Sequence, residues 1–153
     1  MKTISEEATM VLTDLVKINN DRIKGYEKAI HELSDDGNSD LKAIFADMIK
    51  ESHNFRNQLM EELEVKGENA QLGTSTAGKI YRSWMEVKSA FTSSDRKAIL
   101  ESCEYGEDVA QRAYETALED ENIPEYIREM LTEQKHSLKL SHDQIKVLRD
   151  QNR

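Results

Sequence analysis

Apolar residues recur every three or four positions along most of this chain. The pattern covers four long segments, at roughly 4–34, 39–66, 95–120 and 124–150, and a shorter one at roughly 74–91. A period near 3.6 predicts amphipathic α-helices, and no segment alternates with the period of two that indicates a strand. The chain also has only 6 Gly and 1 Pro, so few residues interrupt the helices. The pattern therefore predicts an all-α protein built from long helices.

The links between the segments predict how the helices connect. Short links at 34–39 and 121–124 favour two antiparallel hairpins. Each long helix is about 27 residues, or ~40 Å at 1.5 Å per residue, and the stretch at about 67–94 is long enough to return along that length. Two hairpins joined by one long crossover indicate a ferritin-like four-helix bundle, here with an extra short helix in the crossover. We expect residues 1–153 to form this single domain.

Three predicted helix starts carry a capping pattern. In each, an oxygen-bearing side chain stands three residues before a carboxylate that can reach back to it. The three are Thr3-x-x-Glu6, Thr92-x-x-Asp95 and Asn122-x-x-Glu125. We expect the first residue of each pattern to cap its helix.

Composition narrows the function classes. The formal net charge of −9 disfavours binding to nucleic acid or to anionic membranes, which require a basic surface. The apolar runs are too short to span a bilayer, and the first residues lack the apolar region of a signal peptide. The single cysteine, Cys103, excludes an internal disulfide and fits a reducing compartment. We therefore expect an acidic cytoplasmic protein.

Polar residues interrupt the inward stripes of the four long helices at one level. We call this set the central polar layer; it consists of Asn19, Arg22, Ser52, Glu107 and Gln134, with Arg22 one turn from Asn19. A buried Glu107 without a partner would be strongly destabilising. We therefore expect Arg22 to lie within salt-bridge range of Glu107, with Asn19 and Gln134 completing the network.

A ferritin-like bundle that binds two iron ions needs a Glu from each of two helices and Glu-x-x-His from each of the others. Here the Glu-x-x-His positions read Ser52-x-x-Phe55 and Gln134-x-x-Ser137, and Glu107 is the one inward carboxylate. Because such a centre prefers several carboxylates and imidazoles, these residues favour a structural layer without a cofactor. The alternative is an iron or manganese site in which Glu107 acts with residues at the edge of the layer. Those residues are Glu27, Glu51 and His142.

Three stretches resemble an uncharacterised bacterial family. They are residues 18–27, Gly73-Thr74 followed by Arg82-Ser83-Trp84, and residues 104–114 with their Gly-Glu-Asp and Tyr pattern. That family is described as a ferritin-like four-helix-bundle domain of unknown function, and the resemblance covers nearly the whole chain. Gly106-Glu107 is also similar to the Gly-Glu pair on the third ligand helix of rubrerythrins. The resemblance implies the ferritin-like fold and, through rubrerythrins, a carboxylate ligand at Glu107.

Three hypotheses for the function follow. We favour a non-catalytic ferritin-like bundle that acts as an interaction or stress-related accessory protein, as a homodimer or with another protein. The second hypothesis is a rubrerythrin-like metal-binding protein with an incomplete carboxylate site. The third is a small-molecule binder with a cavity around the central polar layer. The sequence has no Gly-rich phosphate loop, nucleophile elbow or zinc-ligand cysteine pattern, so we predict no catalytic residue.

Overall fold

A computed structural model of the protein describes residues 5–33, 37–66 and 96–151. These residues form four α-helices: α1 (Glu6–Glu32), α2 (Ser39–Lys66), α3 (Arg96–Glu119) and α4 (Glu125–Gln151). No strand occurs within these ranges, so the predicted all-α class is confirmed for them. The predicted crossover at 67–94, with its short helix at 74–91, lies outside the described residues, as does the predicted cap at Thr92.

The start of α1 differs from the predicted cap. Ser5, rather than Thr3, is the N-cap residue of α1, with an extended backbone and a side-chain oxygen that accepts a hydrogen bond from the Ala8 N–H at 3.1 Å. A capping hydroxyl must lie on the residue directly before the helix to reach an amide in the first turn. Thr3 stands two residues too early for this contact, because α1 begins at Glu6.

The start of α4 also lies later than its predicted cap. The carbonyl of Pro124 accepts a hydrogen bond from the Arg128 N–H at 2.9 Å, which makes Pro124 the last residue before the helix. Asn122 lies in the turn, where its N–H donates to the Asp120 carboxylate at 2.8 Å. The Arg128 guanidinium donates to the Asp120 carbonyl at 2.9 Å, which ties α4 to the end of α3.

Contacts between α1 and α2 show that these helices are antiparallel. Arg22 of α1 contacts Ser52 of α2, and one turn later Tyr26 packs against Phe45, with ring centroids 5.2 Å apart. The residue numbers rise along one helix as they fall along the other. The predicted first hairpin is therefore present.

Contacts between α1 and α3 fix the direction of the third helix. Asn19 contacts Tyr114, whereas Arg22, further along α1, contacts Glu107. Because α1 is thus antiparallel to both α2 and α3, those two helices run in the same direction. The end of α2 and the start of α3 therefore lie at opposite ends of the bundle, and α3 and α4 pack together as the second hairpin.

Buried apolar side chains form two clusters along the bundle. The first cluster includes Leu12, Leu15, Leu59, Tyr114 and Leu131. The second includes Tyr26, Phe45, Leu100, Cys103 and Ile145. The central polar layer is buried between them. None of the four described helices contains a stretch long and apolar enough to cross a bilayer.

Candidate functional site

Arg22 is the centre of the polar layer. Its side chain is fully buried, and each of its N–H groups has an acceptor. The Nε–H donates to Glu107 at 2.6 Å, and Nη2 reaches the second Glu107 oxygen at 3.1 Å, so this pair is bidentate. Nη1 donates to the Ser52 hydroxyl at 2.8 Å and to the Met48 carbonyl at 3.3 Å. These contacts satisfy a buried charge that would otherwise be strongly unfavourable.

A second carboxylate, from Glu51, also faces Arg22. Its Oε1 atom lies 3.0 Å from Nη2 and accepts a hydrogen bond from the Ser141 hydroxyl of α4 at 3.0 Å. The Glu51 side chain is 24% exposed, whereas those of Arg22 and Glu107 are fully buried. When both carboxylates are ionised, the Arg22 cation therefore faces two anions, of which Glu51 is the one in contact with solvent.

The charges in this group influence one another. Burial raises the pKa of the Glu51 carboxyl above its ordinary value, although the charge of Arg22 opposes that shift. Burial, the largest single effect, would lower the pKa of Arg22, but the charge of Glu107, its hydrogen bond to the guanidinium and the other groups around Arg22 together outweigh burial and raise that pKa. Arg22 therefore stays charged, and burial makes the Glu51 carboxyl easier to protonate than an ordinary exposed carboxyl.

Tyr114 organises the other half of the layer. Its hydroxyl donates to Gln134 Oε1 at 2.7 Å and accepts from Asn19 Nδ2 at 3.0 Å. Gln134 in turn donates to the Gln58 side chain at 2.8 Å, which connects α4 with α2. Together with Arg22, these contacts join all four described helices at one level.

Two further groups lie against the charged part of the layer. The Arg22 guanidinium carbon is 5.4 Å from the centroid of the Tyr26 ring, a distance at which a cation is attracted to an aromatic face. Cys103 is buried in the second apolar cluster, which also contains Tyr26. Burial raises the pKa of both the Tyr26 hydroxyl and the Cys103 thiol well above their ordinary values. Cys103 is therefore held as an unreactive thiol.

The residues considered for a metal site lie in three separate environments. Glu51 and Glu107 bind the Arg22 guanidinium, while Glu27 is exposed on α1. His142 is bound at both ring nitrogens, with Nε2 2.6 Å from Asp108 and Nδ1 3.1 Å from Asp143. Within 5–33, 37–66 and 96–151, no group of three or more His, Cys, Asp or Glu side chains is arranged to hold a metal ion. The guanidinium occupies the point where the carboxylates converge, so these residues do not fit a metal centre.

The sequence places all five members of the central polar layer at inward positions, and all five are buried. Tyr114 and Glu51 were missed as members of this network. Tyr114 lies on the inward stripe of α3. Because its aromatic ring fits the apolar pattern, the pattern does not predict the hydrogen bonds of its hydroxyl. Glu51 lies at the edge of the α2 stripe, and periodicity does not show which neighbour its carboxylate contacts.

Most of this chain matches the model of a known protein family. Residues 7–120 match the model of a family described as a domain of unknown function, DUF2383. The match covers 114 of the 153 residues and includes α2, α3 and all of α1 after its first residue. The chain belongs to this family. The DUF2383 match contains Asn19, Arg22, Ser52 and Glu107, whereas Gln134 lies beyond it. No curated protein matches the chain.

Proposed function

We propose that this protein is a non-catalytic, ferritin-like four-helix bundle that acts as an interaction or stress-related accessory protein. In this proposal it functions in the bacterial cytoplasm, without a cofactor, as a homodimer or with another protein. The ferritin-like assignment is supported by the parallel directions of α2 and α3, since that arrangement requires one long crossover between two hairpins.

The observation that carries the non-catalytic proposal is the position of Arg22. A metal centre at this level needs carboxylates that are free to ligate an ion. Here Glu107 uses both oxygens on the guanidinium, and Glu51 binds the same group. The arginine supplies, at this level, the positive charge that an ion would supply. The layer is therefore proposed to be structural.

Metal analysis and thermal melting test this proposal against the alternative of an iron or manganese site. The protein is purified with and without added Fe(II) or Mn(II), and bound metal and Tm are measured. We expect no stoichiometric metal and no change in Tm. Stoichiometric metal with a clear rise in Tm would overturn the proposal, because a ligand that binds the native state stabilises it by mass action.

A matched variant shows whether any metal found belongs to the layer. Glu107→Gln removes the fully buried carboxylate, whereas Glu101→Gln changes a carboxylate on the same helix that is 53% exposed and is not a candidate ligand. Metal bound at the layer would be lost in the first variant and retained in the second. Loss in neither variant would place the metal elsewhere on the surface.

Sedimentation equilibrium tests the homodimer. A mass of two chains that dissociates on dilution is expected if the protein self-associates. A monomer of 17.6 kDa at every concentration would contradict the homodimer and leave another protein as the proposed partner.

A further inference from the structure

The acceptors around Arg22 are held by helices other than its own. Glu107 belongs to α3, while Met48, Glu51 and Ser52 belong to α2. None of the acceptors that bind its guanidinium comes from α1. The positions of these groups therefore depend on the packing of α2 and α3, and shortening the Arg22 side chain removes none of them.

The arrangement of the acceptors matches one particular shape of cation. The two Glu107 oxygens lie along the edge formed by Nε and Nη2. Ser52 and the Met48 carbonyl receive the two N–H groups of Nη1, and Nη2 also donates to the Met48 sulfur at 3.4 Å. The Glu51 carboxylate lies 3.0 Å from Nη2 as an ion pair. A guanidinium has these donors in one plane, whereas an ammonium has three donors on a single atom.

A second set of contacts holds these acceptor residues in place. We call the acceptor residues, which are Met48, Glu51, Ser52 and Glu107, the shell. Ser141 of α4 donates to Glu51 at 3.0 Å and orients that carboxylate towards the layer. The Tyr26 ring lies against the guanidinium carbon at 5.4 Å. Glu51 is also the partly exposed member of the shell, at 24%, so a small ion can reach the shell on this side.

We propose that the shell formed by Met48, Glu51, Ser52 and Glu107 is a preformed binding site for a planar guanidinium ion, and that it binds a free alkylguanidinium once the Arg22 side chain is truncated. The proposal deepens the structural role given to Arg22 and rests on it. It further states that the shell binds a planar monocation in preference to an ammonium or a divalent metal ion.

The test uses Arg22→Ala with ethylguanidinium as the probe. This ion has the two carbons and the guanidinium that the substitution removes. At ten times its dissociation constant, one bound ethylguanidinium should raise the Tm of Arg22→Ala by ~3–6 °C. Isothermal titration should give one ion per chain. Propylammonium and Mn(II) at the same concentration should give smaller shifts.

Two controls separate binding at the shell from a general effect of the salt. The wild type should show no rise in Tm, because its shell is already occupied. Arg56→Ala removes an arginine whose Nη1 donates to Asn20 at 3.0 Å, outside the shell, so it should also show no rise. An equal rise in all three proteins would overturn the proposal.

A second variant covers the case in which Arg22→Ala does not fold. Arg22→Ala/Glu51→Gln removes one of the two carboxylates left facing each other, and its helical circular dichroism and Tm are followed with ethylguanidinium. Stabilisation by this ion above that by propylammonium supports the site. No response in either variant, or a larger response to Mn(II), overturns it. Metal bound to the wild type would contradict the proposed function. The response of these variants to ethylguanidinium is a separate measurement, so the failure of one proposal can be distinguished from the failure of the other.

Discussion

At the scale of single residues, Arg22 and Glu107 form the ion pair at the centre of the polar layer. Both side chains are fully buried, and they approach to 2.6 Å. A buried ion pair gains little over an apolar pair of similar volume, because both charges lose their hydration. Removing one partner is much more costly, since the other charge then stays buried without compensation. We therefore expect the pair to contribute to specificity more than to net stability.

Replacing Glu107 by alanine tests this asymmetry. Glu107→Ala should lower the free energy of unfolding by ~3–5 kcal/mol, because Arg22 then keeps only Glu51 as an anionic partner. Urea unfolding followed by circular dichroism measures the change. Glu101→Ala on the same helix is the control; its side chain is 53% exposed, so the change should stay within about 0.5 kcal/mol. Equal effects of the two substitutions would contradict burial of the pair.

Removing the Tyr114 hydroxyl tests the neutral half of the layer. Tyr114→Phe keeps the ring in the first apolar cluster but leaves an Asn19 N–H and the Gln134 Oε1 without this partner. The free energy of unfolding should fall by ~1–3 kcal/mol. Tyr105→Phe, at a tyrosine that is 47% exposed, should have little effect in the same urea experiment. A neutral result for Tyr114→Phe would mean that the hydroxyl makes no net contribution.

At the scale of the helices, the start of α3 is fastened to the turn between α1 and α2. Arg96 donates to both oxygens of the Asp40 carboxylate, the shorter contact being 2.7 Å, and to Asn38 at 3.0 Å and the Gly37 carbonyl at 3.4 Å. Gly37 has a φ of +73°, a conformation that favours glycine, so a glycine here lets the backbone turn without strain. Arg96, at the start of the second hairpin, thus attaches that hairpin to the α1–α2 turn of the first.

The Arg96–Asp40 contact makes part of the stability depend on pH. Hydrogen bonds from Arg96 lower the pKa of Asp40 from 3.8 to about 2. Because the folded-state pKa lies below the unfolded one, the contribution is complete above 3.8 and is lost as pH falls towards 2. Asp40→Asn should remove this part of the acid dependence, measured as Tm from pH 5 to pH 2. The control is Asp47→Asn on the exposed face of α2. Identical acid profiles for Asp40→Asn and the wild type would contradict the contact.

At the scale of the whole molecule, the central polar layer lies between two apolar clusters that share all four described helices. Each cluster supplies hydrophobic stabilisation, and the layer links the helices between them through directional contacts. Because every helix belongs to both clusters and to the layer, one part of the bundle cannot open without disturbing the rest. The described helices should therefore unfold together.

Substitutions in the two clusters test this cooperativity. Leu131→Ala in the first cluster should cost ~2–5 kcal/mol, and Phe45→Ala in the second ~3–5 kcal/mol. Both variants should unfold in a single transition, with far-ultraviolet and near-ultraviolet circular dichroism changing together. A biphasic transition in either variant would show that the clusters fold independently. Leu140→Ala, at an exposed position of α4, is the matched control.

Much of the architecture follows from the sequence because a helix repeats its environment every 3.6 residues. The predicted bounds of the long helices lie within two residues of the observed ones, since apolar periodicity continues to the ends of each segment. The inward positions of Arg22 and Glu107 follow from the same periodicity. The capping residues were less predictable, because two hydroxyl side chains, Thr3 and Ser5, precede α1 and either could have capped it; the observed cap is Ser5.

The sequence by itself determined which residues face the interior of each helix, because that depends on contacts within one helix. Only the tertiary structure decided which of those residues meet. The convergence of Glu51 and Glu107 on one guanidinium nitrogen depends on the rotation and height of α2 and α3 relative to α1. The bridge from Asn19 through Tyr114 to Gln134 likewise involves three helices. Such contacts join residues distant in the chain, and helical periodicity carries no information about their relative placement.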